Sequence, residues 1–291
     1  MGLRDRIQDG AIVVALGAHD PLTALIAQQA GIEAVYQGGY SLAAHQHGVP
    51  DIGMIGLPDV LETLRRIRAV SSVPVVVDAD TGYGAEASVR RVVVALEEAG
   101  AAAIQIEDQV WPKRCGHMEG KRVVPRDEMV AKVRAAVGAR SNPQILLIAR
   151  TDALAIEDFD AVVDRCNAYA AAGADLVFVD APRSADELRL LAERVDAPMM
   201  ANMTETGRTP LLSAAELEAL GYRLVIFPST QTWLFAKAYR ELCDEVLRHG
   251  TTREILDRFM SFDEINALLG RDQWEEGATD GRWRPPGRIT G

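Results

Sequence analysis

Val73-Pro74-Val75-Val76-Val77-Asp78-Ala79-Asp80-Thr81-Gly82-Tyr83-Gly84 is the stretch that decides the fold. Its first five residues, 73–77, are apolar without alternation. That is the mark of a strand covered on both faces, as in a parallel sheet. The run stops at two carboxylates and a glycine turn, after which Val89, Val92, Val93 and Leu96 follow one another at helical spacing.

The same unit recurs outward in both directions. Further short apolar runs stand at 11–16, 34–36, 102–106, 145–149, 176–179, 198–201 and 224–227. Between them lie amphipathic helices, such as Val60, Leu61, Leu64 and Ile67 behind Pro58, a residue suited to a first helical turn. Gly31, Gly100, Gly173 and Gly221 each lead from helix into strand. Ser184 with Glu187, and Ser213 with Glu216, have capping-box spacing and are expected to open the helices after the sixth and seventh strands. Eight β/α units in about 250 residues predict the α/β class and a closed (β/α)8 TIM-type barrel. Residues 1–250 form that catalytic barrel, with no linker to divide it. The segment 233–249 reads as a helix, and Ser261-Phe262-Asp263-Glu264 as another capping box. These extra C-terminal helices place 251–291 in a helical arm, with a loosely ordered tail over 277–291.

Composition sets the outer bounds. Of 291 residues, 48% are hydrophobic and 25% charged, the balance of a globular chain with a sizeable core. Asp and Glu number 42 against 31 Lys and Arg, and a net charge of -11 argues against nucleic acid as a partner. The apolar runs fall far short of the ~18–20 residues that span a bilayer. The charged start Leu3-Arg4-Asp5-Arg6 lacks a signal-peptide core. The expectation is a soluble, cytoplasmic protein with no membrane partner. Three cysteines are too few and too scattered for a disulfide framework, which suits a reducing compartment.

Polar residues collect where each strand would end: Asp78 and Asp80, Glu107 and Asp108, Arg150 to Asp152, Asp180, Asn202 and Thr204, Ser229 and Thr230. Barrel enzymes build catalysis at that end. By strand alternation Asp78 and Asp80 point the same way, so they are expected to share one hard cation, with Glu107 nearby, as in a Mg²⁺ site. Gly82-Tyr83-Gly84-Ala85-Glu86-Ala87 matches a dinucleotide-binding turn, but it follows the third strand and two carboxylates that would repel a pyrophosphate. It reads instead as a sharp turn past a metal. In the loop after strand four, Lys113, Arg114, His117 and Lys121 surround Cys115, a setting that favours thiolate. Gly116 and Gly120 would let that loop move as a lid. Cys166 and Cys243 fall in helical stretches and read as inert buried hydrophobes. Cys115 with His117 has no second pair to make a zinc site.

Taken together, 77–84, Ile106-Glu107-Asp108-Gln109, Lys113-Arg114-Cys115-Gly116-His117, 148–153 and Asn202-Met203-Thr204-Glu205 resemble the isocitrate lyase and phosphoenolpyruvate mutase superfamily. Within it they are most similar to the 2-methylisocitrate lyase and 2-alkylmalate (dimethylmalate) lyase branch. The resemblance runs from about 3 to 274, and the cysteine loop is its lyase-specific part. It implies a Mg²⁺-dependent carbon–carbon lyase, with Mn²⁺ as a substitute. Such an enzyme cleaves a 2-hydroxy di- or tricarboxylate into a 2-oxo acid such as pyruvate and a second carboxylic acid. It implies Asp78, Asp80, Asp51 and Glu107 around the metal, and Cys115 as the acid that protonates the departing carbanion, with His117 beside it. Arg150 would neutralise carboxylate charge, and Tyr36 would be a base for the hydroxyl proton. Gly38, Gly39, Gly116, Arg150, Asp180, Asn202 and Thr204 would bind substrate. It also implies a homotetramer whose C-terminal helix is exchanged between subunits. The sequence departs from 2-methylisocitrate lyases at Gly38-Gly39-Tyr40, at Asp180, and at Trp233 and Phe262, which align where those enzymes carry arginines for an extra carboxylate. A substituted malate is therefore expected as substrate. The alternatives on this scaffold are carboxyphosphonoenolpyruvate phosphonomutase, which generally lacks the cysteine, and oxaloacetate hydrolase or decarboxylase. A catalytically inert sensor is opposed by the intact Asp78, Asp80, Cys115 and Arg150.

Overall fold

The eight apolar runs become eight parallel strands that close in chain order. They are β1 (Val13–Gly17), β2 (Ala34–Gln37), β3 (Val75–Asp78), β4 (Ala103–Glu107), β5 (Leu146–Thr151), β6 (Leu176–Val179), β7 (Met199–Asn202) and β8 (Leu224–Phe227). The computed structural model describes residues 2–116, 118 and 120–280. Val13 pairs with Leu224 to close β1 on β8, and Glu107 stands level with Arg150 across β4 and β5. Strands β2 to β6 are buried at every residue, as their unbroken apolar runs require.

Helices cover the outside: α1 (Leu3–Gln8), α2 (Pro21–Gln29), α3 (Gly39–Leu42), α4 (Leu57–Val70), α5 (Glu86–Glu98), α6 (Arg126–Ala139), α7 (Phe159–Ala171), α8 (Ala185–Arg194) and α9 (Ala214–Leu220). On α4 and α5 the faces that bury, Val60, Leu64 and Ile67, and Val89, Val92, Val93 and Leu96, are those the helical spacing marks. The Ser213 and Glu216 capping box forms. Ser184 accepts from the Glu187 amide, but the return bond goes to the Arg183 amide, one residue before the cap.

Inside the barrel, Ala15, Ala34, Tyr36, Val76, Ala103, Leu146, Ile148, Phe178, Met200 and Ile226 pack together, and Leu3 and Ile7 of α1 join them from the N-terminal end. Period-two alternation carries that inner face up to the opposite rim. Two residues beyond Val76, Ile148, Phe178 and Met200 come Asp78, Arg150, Asp180 and Asn202. The apolar layer thus dictates which polar side chains enter the mouth.

Beyond the barrel come α10 (Thr230–His249), a short 3₁₀ stretch (Arg253–Arg258), α11 (Phe262–Leu268) and α12 (Arg271–Asp280). The Ser261 and Glu264 box opens α11 as expected. Two expectations fail here. On α10 only Thr232 is buried, so Cys243 is exposed rather than a core hydrophobe. Residues 277–280, assigned to a loose tail, are the last turn of α12, a helix carrying the Arg271 to Glu275 ion pair at 2.8 Å. The rest of that tail lies outside the described residues. No helix among the described residues is long and apolar enough to cross a membrane.

Candidate active site

A cavity of about 230 Å³ opens at the C-terminal ends of the strands. That is below the ~300–1,000 Å³ of sites for drug-sized ligands and suits a small acid. Of the residues singled out from sequence, Tyr36, Gly38, Gly39, Asp51, Asp78, Cys115, Gly116, Arg150, Asp180, Asn202 and Thr204 all line it. Asp80 and Glu107 are buried behind that surface, at 2% and 1% exposure. His117 lies outside the described residues.

One side of the mouth is acidic. Lys113 Nζ bridges Asp51 Oδ1 at 2.6 Å and Asp80 Oδ1 at 2.7 Å. Burial opposes the Lys113 charge, but the carboxylates of Asp80, Asp51 and Glu107 raise the ammonium well above its ordinary value. Burial pushes the Asp80 carboxyl up to about 7 despite Lys113, and drives Glu107 well up also. Asp80 does not continue the strand as alternation predicts. Its φ is +47°, and its amide donates to Asp78 Oδ1 at 3.0 Å. The glycine turn follows at positive φ through Gly82, Tyr83 and Gly84, so its residues do bend the chain sharply past the acids. A Cβ on Gly39 would stand 3.3 Å from Lys113 Nζ and 3.5 Å from Asp80 Oδ1, which shows how closely that backbone approaches the charges.

These residues suit a hard divalent cation. Asp51, Asp78, Asp80 and Glu107 are all buried, and Glu107 Oε1 has no hydrogen-bond partner. Oxygen donors of this kind are what Mg²⁺ takes. Among the described residues no three His, Cys, Asp or Glu side chains stand as a ready ligand set, because Lys113 sits between two of the acids.

The other side is built around Arg150. Its Nε lies 2.9 Å from Asp152 Oδ2 and 3.3 Å from Glu107 Oε2, its Nη2 lies 3.4 Å from Asp180 Oδ2, and Phe178 stacks beneath it at 5.4 Å. Asn202 Nδ2 reaches Asp180 Oδ1 at 3.4 Å, and Thr204 Oγ1 donates to Asn202 Oδ1 at 2.7 Å. Tyr36 donates its hydroxyl to Gln105 Oε1 at 3.2 Å. Burial, helped by Asp78, drives that phenol well above its ordinary value, so it stays neutral.

The Cys115 loop closes over this side. The Cys115 amide donates to the Asp51 carbonyl at 3.2 Å, and the Met118 amide to the Cys115 carbonyl at 2.8 Å. Two of the loop's cations are committed to carboxylates, Lys113 as above and Lys121 to Asp152 at 2.9 Å. Lys113 and Lys121 thus anchor the loop at both ends. Cys166 is buried on α7 and burial pushes its thiol up, as an inert position requires.

Some residues named from sequence take roles that the sequence did not assign them. Asp152, just past the end of β5, orients Arg150 two residues before it. Tyr40 and Trp233, with ring centroids 5.0 Å apart, form an aromatic wall that no local motif announces. Phe262, paired with Trp233 in the sequence reading, is instead 76% exposed on α11 and does not line the cavity.

Barrel, acid-lined mouth, fixed arginine and thiol-bearing loop define a (β/α)8 enzyme built for a small carboxylate. The sequence profile of the phosphoenolpyruvate phosphomutase family matches residues 3–247, and the chain belongs to that family. It is 40% identical over 274 residues to 2,3-dimethylmalate lyase of Eubacterium barkeri, covering 94% of this chain and 95% of the relative. It is 43% identical over 274 residues to 2-methylisocitrate lyase of Aeropyrum pernix, covering 94% of this chain and 88% of that one. A crystal structure of 2,3-dimethylmalate lyase, a PEP mutase/isocitrate lyase superfamily member, superposes with a TM-score of 0.89 at 36% identity over 99% of this chain and 97% of the other.

Proposed function

We propose that this chain is a carbon–carbon lyase that cleaves a 2-hydroxydicarboxylate of the alkylmalate kind into a 2-oxo acid and a second carboxylic acid. The observation that carries the reading is the seating of the Cys115 loop in the same cavity as Arg150, which is itself held by Glu107, Asp152 and Asp180. A thiol in the same cavity as a fixed guanidinium suits delivery of a proton to a carbanion whose carboxylate the arginine holds.

In this mechanism Arg150 binds substrate carboxylate, and Asn202 and Thr204 extend the polar contacts. Tyr36, a neutral phenol, acts as a hydrogen-bond donor rather than as the base. The carboxylate side of the mouth takes the hydroxyl proton as the C–C bond breaks. The bonding pair stays with the departing acid, and Cys115 protonates it there. Asp51, Asp78, Asp80 and Glu107 would hold Mg²⁺, with Mn²⁺ as a substitute. A cation held there would supply Lewis-acid polarisation of the substrate.

Pocket chemistry favours a dicarboxylate. Among the described lining residues the cations are Lys113 and Arg150, both already engaged with acids. The Tyr40 and Trp233 wall takes alkyl groups but leaves a third carboxylate without a partner, which is costly when buried. The same reading places the enzyme in the cytoplasm, where Cys115 stays reduced. It also assembles the chain as a homotetramer that exchanges the arm after residue 250.

The test is side-by-side kinetics with Mg²⁺ on 2,3-dialkylmalates, 2-methylisocitrate and oxaloacetate, following 2-oxo acid or oxalate release. Dialkylmalate is expected to lead in kcat/KM. EDTA should abolish turnover, and Cys115→Ser should cut it at least ~10²-fold, the scale for losing a positioned acid. Oxaloacetate hydrolysis without malate cleavage would sink the lyase reading.

A further inference from the structure

Lys121 has no part in the chemistry above, yet its side chain is 2% exposed in the mouth. Its Nζ donates to the Gly116 carbonyl and to Asp152 Oδ1 at 2.9 Å, and lies 3.8 Å from Asp180 Oδ2. Asp152, itself wholly buried, binds Arg150 with both oxygens, at 2.9 Å to Nε and 3.0 Å to Nη2. One buried carboxylate is therefore shared between the substrate-facing guanidinium and a lysine that grips the loop. Burial alone would raise the Asp152 carboxyl, but Arg150 and Lys121 hold it well below its usual value.

The two ends of that grip differ in how they are held. Lys121 adjoins a neck where the chain pairs with itself: the Val110 amide donates to the Arg122 carbonyl at 2.8 Å, and the Val124 amide to the Asp108 carbonyl at 2.8 Å. Gly116 lies out on the loop next to the thiol, pressed so closely on Asp180 and Arg150 that a Cβ would overlap them. A post beside the neck thus reaches across to the loop's inner carbonyl.

We infer that Lys121 is a positioning residue that latches the Cys115 loop shut and ties its closure to the Asp152 carboxylate that orients Arg150. The inference rests on the reading that the loop carries the proton-delivering thiol. Opening the loop strips the buried ammonium of the Gly116 carbonyl, so closure and a fully partnered Lys121 come together. Loss of the latch leaves Arg150 held by Asp152 and Glu107, so substrate binding persists while proton delivery suffers.

Lys121→Met tests this with measurements that need no substrate. In the ligand-free protein, iodoacetamide labelling of the peptide that holds Cys115, read by mass spectrometry, is expected to quicken at least fivefold. Labelling of exposed Cys243 should stay the same. Tryptic cleavage after Arg114 should quicken likewise. On the preferred substrate, kcat should fall at least tenfold with KM within threefold, whereas simple loss of folded enzyme would alter neither KM nor the labelling rate of the folded fraction. Lys121→Arg, which keeps the charge, should recover part of kcat. If Lys121→Met does not fold, Lys121→Gln is expected to show at least a twofold rise in both accessibility assays. A folded variant whose Cys115 labelling and Arg114 cleavage equal those of the natural chain overturns the latch. Quickened labelling without lyase activity on any acid tried would support the latch and count against the proposed reaction instead.

Discussion

Gly116 shows how a single residue can be right for a reason the sequence hides. It reads as a hinge, but its place is one of close approach: a Cβ would stand 1.6 Å from Asp180 Oδ2 and 2.5 Å from Arg150 Nη2. Both neighbours are buried and hydrogen-bonded or paired, so neither can step aside cheaply. Gly116→Ala is therefore expected to cost at least ~10²-fold in turnover, the scale for misplacing a catalytic group. The melting temperature should hardly change, because the loop lies outside the three hydrophobic clusters. Equal activity of the alanine variant would refute the close packing. Asp108 is the buried counterpart behind the strands. Thr151 Oγ1, the Asp152 amide and the Tyr169 hydroxyl all donate to it, yet burial still pushes its carboxyl up from 3.8 to about 6. Between those values the folded chain keeps a proton that the unfolded chain has released. Asp108 thus contributes stability below about pH 4 that is lost as pH rises through about 6. A rise of that size corresponds to about 3 kcal/mol. Asp108→Asn should remove that much of the pH dependence between pH 4 and 7, as read by denaturant unfolding of both proteins. Parallel pH profiles would exclude Asp108 as the source.

At the scale of elements, the strands run further toward the mouth than their apolar runs. β3 ends at Asp78, β4 at Glu107, β5 at Thr151 and β7 at Asn202, one or two residues past the last apolar position of each run. Hydropathy marks only the part of a strand that faces core, whereas the hydrogen-bonded ladder continues to wherever a neighbouring strand still pairs. Glu107 and Arg150, for instance, remain in register. The first turn of α10 extends the mouth in another way, by setting Trp233 against Tyr40. Replacing that aromatic with a cation should reverse the expected substrate preference. Trp233→Arg is expected to raise kcat/KM for 2-methylisocitrate relative to 2,3-dialkylmalate by roughly tenfold or more, since a charged hydrogen bond is worth about 1.5–3 kcal/mol. An unchanged ratio in competition kinetics would place substrate discrimination elsewhere in the cavity.

For the whole molecule, the telling surface is α10 together with the arm that follows residue 250. Leu234, Phe235, Tyr239 and Leu247 on α10, and Leu256 and Phe262 beyond it, are all more than half exposed. Exposed apolar side chains in such number suit the homotetramer proposed for this chain. Leu247→Glu separates the possibilities cleanly. On a monomer the change at so exposed a position alters stability by only about 0.5 kcal/mol or less, whereas within an interface it buries a charge. For the proposed homotetramer, the expected result is a fall to smaller species on light scattering after gel filtration, with the barrel still folded. A native mass unaffected by the substitution would contradict assembly through this surface.

Composition and periodicity were enough to determine the barrel, because continuous apolar runs at strand length admit few arrangements other than a parallel sheet covered on both sides. They also determined the side of the barrel on which chemistry sits, since polar residues recur at the same end of each strand. What they left open is everything that depends on distances across the barrel axis. Strand alternation predicts where Asp78 points but not that Asp80 turns to positive φ, or that Lys113 reaches over to bridge Asp51 and Asp80. Nor does any local pattern reveal that Asp152 serves Arg150 and Lys121 at once. Those partners are 31 residues apart in one case and two in the other. Only the loop after β4, folded back over the mouth, brings Lys121 to the carboxylate that Arg150 already holds.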